Sequence, residues 1–196
     1  MADTHLPKAP ERVETARLSL HRPTRADLEP LYSRYASDPD VVRYVGWPMH
    51  RSIADTLAFL AASDGEWEQW PAGPYAIVAR QDGVLIGGTG FAFETPFRAV
   101  TGYVFAKDAW GRGYATEALA AMVRLAPALG IRRLYAICHV AHRPSARVLE
   151  KCGFEREGVL RSYCEFPNLA AGVLSDVLCY ARVLQAGAIG PHRARV

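Results

Sequence analysis

A strand-like run, Val100-Thr101-Gly102-Tyr103-Val104-Phe105-Ala106, is followed after a few residues by Gly111-Arg112-Gly113, and then by a helix-like segment with apolar Leu119, Met122, Val123 and Ala126. Strand, glycine turn and helix start in that order leave a cluster of backbone N–H groups at the positive end of a helix dipole. Glycines at 111 and 113 let an anion approach that backbone with no Cβ in the way. The stretch Trp110 to Leu119 therefore predicts a phosphorylated ligand. The rest of the chain has to say which one.

The flanking pattern reads as follows. Arg17-Leu18-Ser19-Leu20-His21-Arg22 alternates as a first strand. Thr24 caps a helix through about Ser37, which Asp38-Pro39-Asp40 breaks. A second helix runs from Ser52 to about Ser63, and a loop covers Gly65 to Pro74. Tyr75 to Arg80 and Val84 to Phe91 form a hairpin around Asp82-Gly83. After the helix from Gly113 to Leu129, Gly130 suits a C-terminal cap, and Leu134 to His139 is a buried strand. Pro144 opens a short helix ending at Cys152-Gly153, and two strands close the order, near Glu155 to Glu165 and Leu174 to Leu184. This predicts one mixed α/β domain over residues 14–185, with helices on both faces of one sheet and flexible tails at 1–13 and 186–196.

With 196 residues, half of them hydrophobic, the chain can bury a core as a single domain. It has no run of about 18 apolar residues and no apolar region of a signal peptide, so a cytoplasmic protein off the membrane is expected. A net charge of +3, part of it in Arg193 and Arg195, is too small and scattered for a nucleic-acid footprint. Cys138, Cys152, Cys164 and Cys179 lack paired spacing, and the histidines lack metal spacing, so no metal is expected.

Two cofactor signatures fail. A dinucleotide turn needs a third glycine where Thr116 stands, and the strands before the turn form a hairpin. A P-loop needs a Gly-Lys pair, which the chain lacks. The wider context is more specific. Trp110-Gly111-Arg112-Gly113-Tyr114-Ala115-Thr116-Glu117-Ala118, followed about 40 residues on by Ser145-Ala146-Arg147-Val148-Leu149-Glu150-Lys151-Cys152-Gly153-Phe154, resembles the GCN5-related N-acetyltransferase superfamily (GNAT). Within it, the opening strand at Arg17 to Arg22 and the closing strands at Glu157 to Arg161 and Asp176 to Arg182 resemble the branch that acetylates ribosomal-protein N-termini.

That resemblance implies a central, mostly antiparallel sheet and acetyl-CoA as acyl donor. The family's pyrophosphate pattern falls on Trp110, Gly113 and Ala115, with Trp110 in place of the usual Gln or Arg. It assigns the diphosphate to backbone N–H groups of Gly111, Arg112, Gly113, Tyr114, Ala115 and Thr116, with Arg112 as an added charge. Pantetheine would lie against the backbone of Tyr103, Val104 and Phe105, like an added strand. The tyrosine that many members use as proton donor falls on Leu149, so Ser145 is cast as the hydrogen-bond donor to the leaving sulfur. His142 stands where an Asn usually meets pantetheine, and an imidazole near pH 6.5 could also serve as base. Glu165 is the expected general base, with Glu94 second; a bulge is needed to bring Glu165 into place. Trp47 is the expected lining residue of the acceptor cleft, ahead of Trp67 and Trp70.

Acetyl transfer needs a neutral amine. Removing the proton at pH 7 costs about 1 kcal/mol for an α-amine but roughly 4–5 kcal/mol for a lysine amine, so an N-terminal acceptor needs only a modest base. The resemblance thus implies an N-acetyltransferase acting on a protein N-terminus or a small amine in a ternary complex. His142 for Asn and Leu149 for Tyr keep a second reading open, an acyl-CoA sensor or partner module with little catalysis. The exposed strands near the C-terminus leave room for a homodimer.

Overall fold

Leu18 and Leu20 alternate with Ser19 and His21, and in the computed structural model, which describes residues 7–184, they form strand β2 (Leu18–His21). The chain becomes ordered earlier than expected. Arg12–Glu14 is a strand, β1, paired antiparallel with β2, and Ala9 is buried. Lys8 extends this strap: its Nζ donates to the carbonyls of Trp67, Glu68 and Trp70. The expected tail at 186–196 lies outside the described residues.

The helical segment after β2 begins as a 3-10 turn at Arg25–Asp27, is α-helical as α1 (Leu28–Leu31), and widens to a π-helix at Tyr32–Ala36. Asp27 starts it: its carboxylate accepts Thr24 N–H at 2.7 Å and faces His21 Nε2 at 3.0 Å. The second helix, α2 (Ile53–Gln69), is longer than its sequence suggested. Gly65 sits on an open face, while Trp67 two residues on is buried and donates to Pro74 O at 2.8 Å. Burying that indole outweighs the roughly 1 kcal/mol cost of a helical glycine.

Strands β3 (Pro74–Ala79), β4 (Leu85–Thr95) and β5 (Arg98–Phe105) form an antiparallel meander, as the alternation predicts. Helix α3 (Tyr114–Leu125) crosses over to β6 (Arg133–His139), which pairs parallel to β5. A βαβ unit therefore does surround the glycine turn, inside an otherwise antiparallel sheet. Pro127 lies in a closing 3-10 turn, Ala126–Leu129, capped by left-handed Gly130. Helix α4 (Arg143–Lys151) then leads into β7 (Glu155–Glu165) and β8 (Leu174–Val183). The sheet order is β1-β2-β3-β4-β5-β6-β8-β7.

Two apolar clusters hold the layers. The larger packs Leu119, Met122 and Leu149 of α3 and α4 against Leu18, Ile77, Phe91 and Leu134 of the sheet. The smaller packs Leu31, Tyr35 and Leu60 on the opposite face against Ala76 and Leu85. Each fully buried Leu or Met contributes about 2 kcal/mol.

Candidate active site

The turn before α3 is built from left-handed glycines. Gly111 has φ 73° and Gly113 φ 79°, conformations that cost an L side chain energy. Gly113 is the N-cap, and the first intrahelical bond is Glu117 N–H to Gly113 O. Among the described residues, no protein acceptor meets the N–H groups of Gly111, Arg112, Gly113, Tyr114, Ala115 or Thr116. A run of unpaired donors at a helix start is an anion site. No protein atom lies near a Cβ built at Gly111, and only Arg17 Nη2, at 3.5 Å, near one at Gly113. The space and the donors fit a diphosphate.

Arg17 holds this turn. Its Nη1 donates to Arg112 O at 2.9 Å, its Nε pairs with Glu117 Oε2 at 2.6 Å, and its guanidinium lies 4.6 Å from the Tyr114 ring centroid. Hydrogen bonds from Thr15 and Arg17 hold the Glu117 carboxyl below its ordinary range, against the opposing effect of burial. Trp110 is half exposed, yet its Nε1 donates to Phe105 O at 2.7 Å. It ties the turn to the end of β5, and it occupies a carbonyl that had been expected to meet pantetheine. Arg112 is exposed and lies over Tyr114.

Behind the turn the sheet opens. β5 and β6 pair only from Arg98↔Arg133 to Val100↔Tyr135. Beyond that point they diverge, so Thr101–Phe105 has β4 on one edge and no strand on the other. Tyr103 and Phe105 pack toward the larger cluster and Val104 toward the smaller, so both faces of the sheet reach this wedge. A groove of about 410 Å³ between α3 and α4 is lined by Thr116, Arg124, Lys151 and Arg182.

Ser145 sits in the first turn of α4. Its Oγ lies 3.0 Å from Tyr103 Oη, whose single proton is shared between that Oγ and Ser145 O at 2.9 Å. Burial raises the Tyr103 phenol, so it stays protonated and acts as a donor. Burial pushes the thiol of Cys138, on β6, up to about 11, with the nearby Ser145 hydroxyl opposing the rise. Leu149, where a proton-donating tyrosine would fall, is in the core. A tyrosine hydroxyl reaches the same helix from strand β5 instead.

His142 is the N-cap of α4, and its carbonyl accepts Ser145 N–H at 3.1 Å. Its ring stacks on Tyr44 at 4.8 Å and 20°. His139 is tilted against the same Tyr44 at 5.1 Å and meets Phe166 edge-on at 5.1 Å. Neither ring nitrogen of His142 has a hydrogen-bond partner among the described residues. Burial, then the neighbouring His139, lowers its pKa below the ordinary 6.5, a correction to the value expected from sequence.

The remaining candidates lie elsewhere. Two register shifts occur in β7, between Arg156 and Gly158 and between Leu160 and Cys164, so the expected bulge exists. Glu165 is nevertheless exposed, and its Oε2 accepts Gly172 N–H at 3.2 Å within the hairpin. No hydrogen bond joins it to Ser145 or His142 among the described residues, and Phe166 points into the aromatic cluster in its place. Both Glu94 oxygens are taken, by Arg98 at 2.6 Å and by the Tyr135 hydroxyl. Trp47 packs against the smaller cluster, 5.2 Å from His50. Trp67 is in the core, and Trp70 stacks on Phe93.

Residues 17–155 match the family described as the acetyltransferase (GNAT) domain. The chain belongs to this family. As a GNAT acetyltransferase it is 31% identical over 154 residues to an uncharacterized N-acetyltransferase, YoaA, of Bacillus subtilis (strain 168), covering 77% of this chain and 86% of that one. Its fold matches the microcin self-immunity acetyltransferase MccE, solved with acetyl-CoA and AMP, with TM-score 0.80, 22% identity, and 90% and 98% of the two chains covered. It also matches the ribosomal-protein acetyltransferase RimL, solved with coenzyme A, with TM-score 0.77, 22% identity, and 90% and 99% covered. The mixed, mostly antiparallel sheet expected from the resemblance is the GNAT sheet.

Four residues that the fold brings against the candidate site escaped the sequence: Arg17, Tyr44, His139 and Phe166. Arg17 looked like the first residue of a strand. The others approach one another only in the fold. His139 alone carried a signal, as a polar residue closing a buried strand beside His142.

Proposed function

We propose that this GNAT protein transfers the acetyl group of acetyl-CoA to a primary amine that enters from the α1–α2 side of the wedge. The unpaired N–H run from Gly111 to Thr116, opening onto the unpaired edge of β5, carries this reading. These N–H groups would hold the diphosphate. Arg124 and Lys151 in the α3–α4 groove offer cations to the remaining phosphate. Tyr103 offers backbone groups to the pantetheine arm, while those of Val104, which had been expected there too, face β4.

When bound, acetyl-CoA supplies an activated acyl group with a thiol leaving group. The chain's own groups do the rest. Ser145 Oγ–H donates a hydrogen bond to the departing sulfur, and Tyr103 orients and polarises that hydroxyl. His142 accepts a proton from the amine. It has free ring nitrogens and is neutral at pH 7, which supports it as base over Glu165. An α-amine needs only about 1 kcal/mol to lose its proton at that pH, within reach of such a base, whereas a small alkylamine is nearer the lysine case and leans on the base more. Tyr44, stacked on His142, forms the apolar wall on the acceptor side.

Two measurements test this. Calorimetry should show acetyl-CoA binding and no NAD binding. A thiol-release assay with small amines and short peptides should show amine-dependent turnover. Tight binding with no turnover on any amine would favour the sensor reading.

A further inference from the structure

Asn168 lies in the β7–β8 connection and has no role in the chemistry above. Its side chain makes three hydrogen bonds, all to a segment more than a hundred residues away. Oδ1 accepts Met49 N–H at 2.7 Å, and Nδ2 donates to Val42 O at 2.8 Å and Trp47 O at 2.9 Å. One amide thus fills most of its bonding capacity on a single partner segment.

Its neighbours join the same two segments. Phe166 is buried edge-on against His139 at the end of β6. Tyr44, between two of the carbonyl-bearing residues, stacks on His142 at the start of α4. Segment 42–49 has only a 3-10 turn, Val42–Tyr44, as structure of its own. A single short turn holds a loop weakly, so long-range hydrogen bonds decide its geometry. The two loops meet beside the wide end of the β5–β6 wedge, since His139 pairs with Val177 there.

We propose that Asn168 is a positioning residue that clasps the two loops over the acceptor opening, so that the cleft favours a slim free amine over a peptide N-terminus. This rests on the acetyl-transfer reading above. A peptide must bring its second and third residues through the same opening, while a small amine presents only its reacting end. The clasp also excludes water from the site that holds the thioester.

The test compares wild type with Asn168→Ala and Asn168→Asp. The Asp variant keeps the oxygen that meets Met49 and loses both donors, and it serves if the Ala variant does not fold. The probes are tyramine, a hexapeptide with a free N-terminal serine, and acetyl-CoA alone. The ratio of kcat/KM for peptide over tyramine should rise about tenfold in the Ala variant, the scale of one or two lost hydrogen bonds, and at least as much in the Asp variant, whose second carboxylate oxygen would face the Val42 and Trp47 carbonyls. Amine-independent hydrolysis of acetyl-CoA should rise with it, at unchanged acetyl-CoA affinity. A folded variant with the wild-type ratio and wild-type hydrolysis would overturn the clasp, even if neither acceptor is used, because hydrolysis needs none. Wild type that binds no acetyl-CoA would instead remove the donor reading, and the clasp with it.

Discussion

The proposed donor and acceptor sides of this acetyltransferase are made of different material. The donor side is one continuous turn, Trp110 to Thr116, whose working groups are backbone N–H. The acceptor side is four side chains, Tyr44, His139, His142 and Phe166, from three separate parts of the chain. A backbone site needs only the right torsions, and glycines at fixed spacing supply them. A side-chain site needs the whole fold before its members meet. The donor side should therefore be broken by a single change of backbone or charge. The acceptor side should degrade in steps.

The largest effect is expected at Gly113. Gly113→Asp strains a left-handed residue and places a carboxylate among the donors, where Arg17 Nη2 lies 3.5 Å from the new Cβ. The carboxylate would occupy the nest itself, and acetyl-CoA affinity should fall about a hundredfold or more by calorimetry. Retained affinity would mean that the donor is held by side chains, and the contrast between the two sides would fail.

Next is the hydroxyl pair. Ser145→Ala should lower kcat about tenfold to a hundredfold with little change in acetyl-CoA affinity. Tyr103→Phe should lower it less, because Ser145 keeps its own proton. Equal losses in both variants and in the double variant would show that the two hydroxyls act as one unit. An unchanged rate in Ser145→Ala would sink the role given to Ser145.

How much of this could be read in advance follows the same divide. The glycine turn, the strand before it and the helix after it were all legible between Val100 and Leu129, because each is a local pattern. The missing tyrosine at Leu149 was legible too, but the hydroxyl of Tyr103 that reaches Ser145 was not. Strand periodicity says which face Tyr103 shares and nothing about a helix 42 residues away. Glu165 looked like a base because it follows the right motif. Phe166, one residue past the end of β7, is the side chain that packs on His139, while Glu165 turns to the Gly172 N–H in the hairpin. The end of α2 was misread because an indole buried at Trp67 overrode a local glycine signal.

A smaller effect is expected in the pH dependence. A histidine whose pKa is lowered in the folded protein stays neutral, and able to accept a proton, until the pH falls through that lowered value. If His142 is the base, kcat/KM should hold from neutral pH down past 6.5 and fall only below it. The same sign applies to stability: the contribution of a neutral His142 is whole above the unfolded value near 6.5 and is lost as the pH falls through the folded one. His142→Gln should remove the acidic limb and lower the rate by about tenfold. An acidic limb that persists in His142→Gln would assign the titration elsewhere, with Glu165→Gln the next variant to measure.

The smallest effect tests whether the two sides are independent. Two ion pairs link them at the surface, Arg34–Asp108 at 2.9 Å and Lys107–Asp40. They run from Arg34 in the π-helix after α1, and from Asp40 in the turn beyond it, to the 3-10 turn that precedes the glycines. Asp108 is largely exposed, and exposed pairs contribute about 0–1 kcal/mol. Arg34 is held in addition by its Nε bond to Leu85 O at 3.2 Å, so it keeps its place without the pair. Asp108→Asn should therefore lower stability by less than about 1 kcal/mol. It should leave both acetyl-CoA affinity and acceptor KM within about twofold of wild type. A joint change in both constants well beyond that would show that this surface link transmits binding at one side to the other.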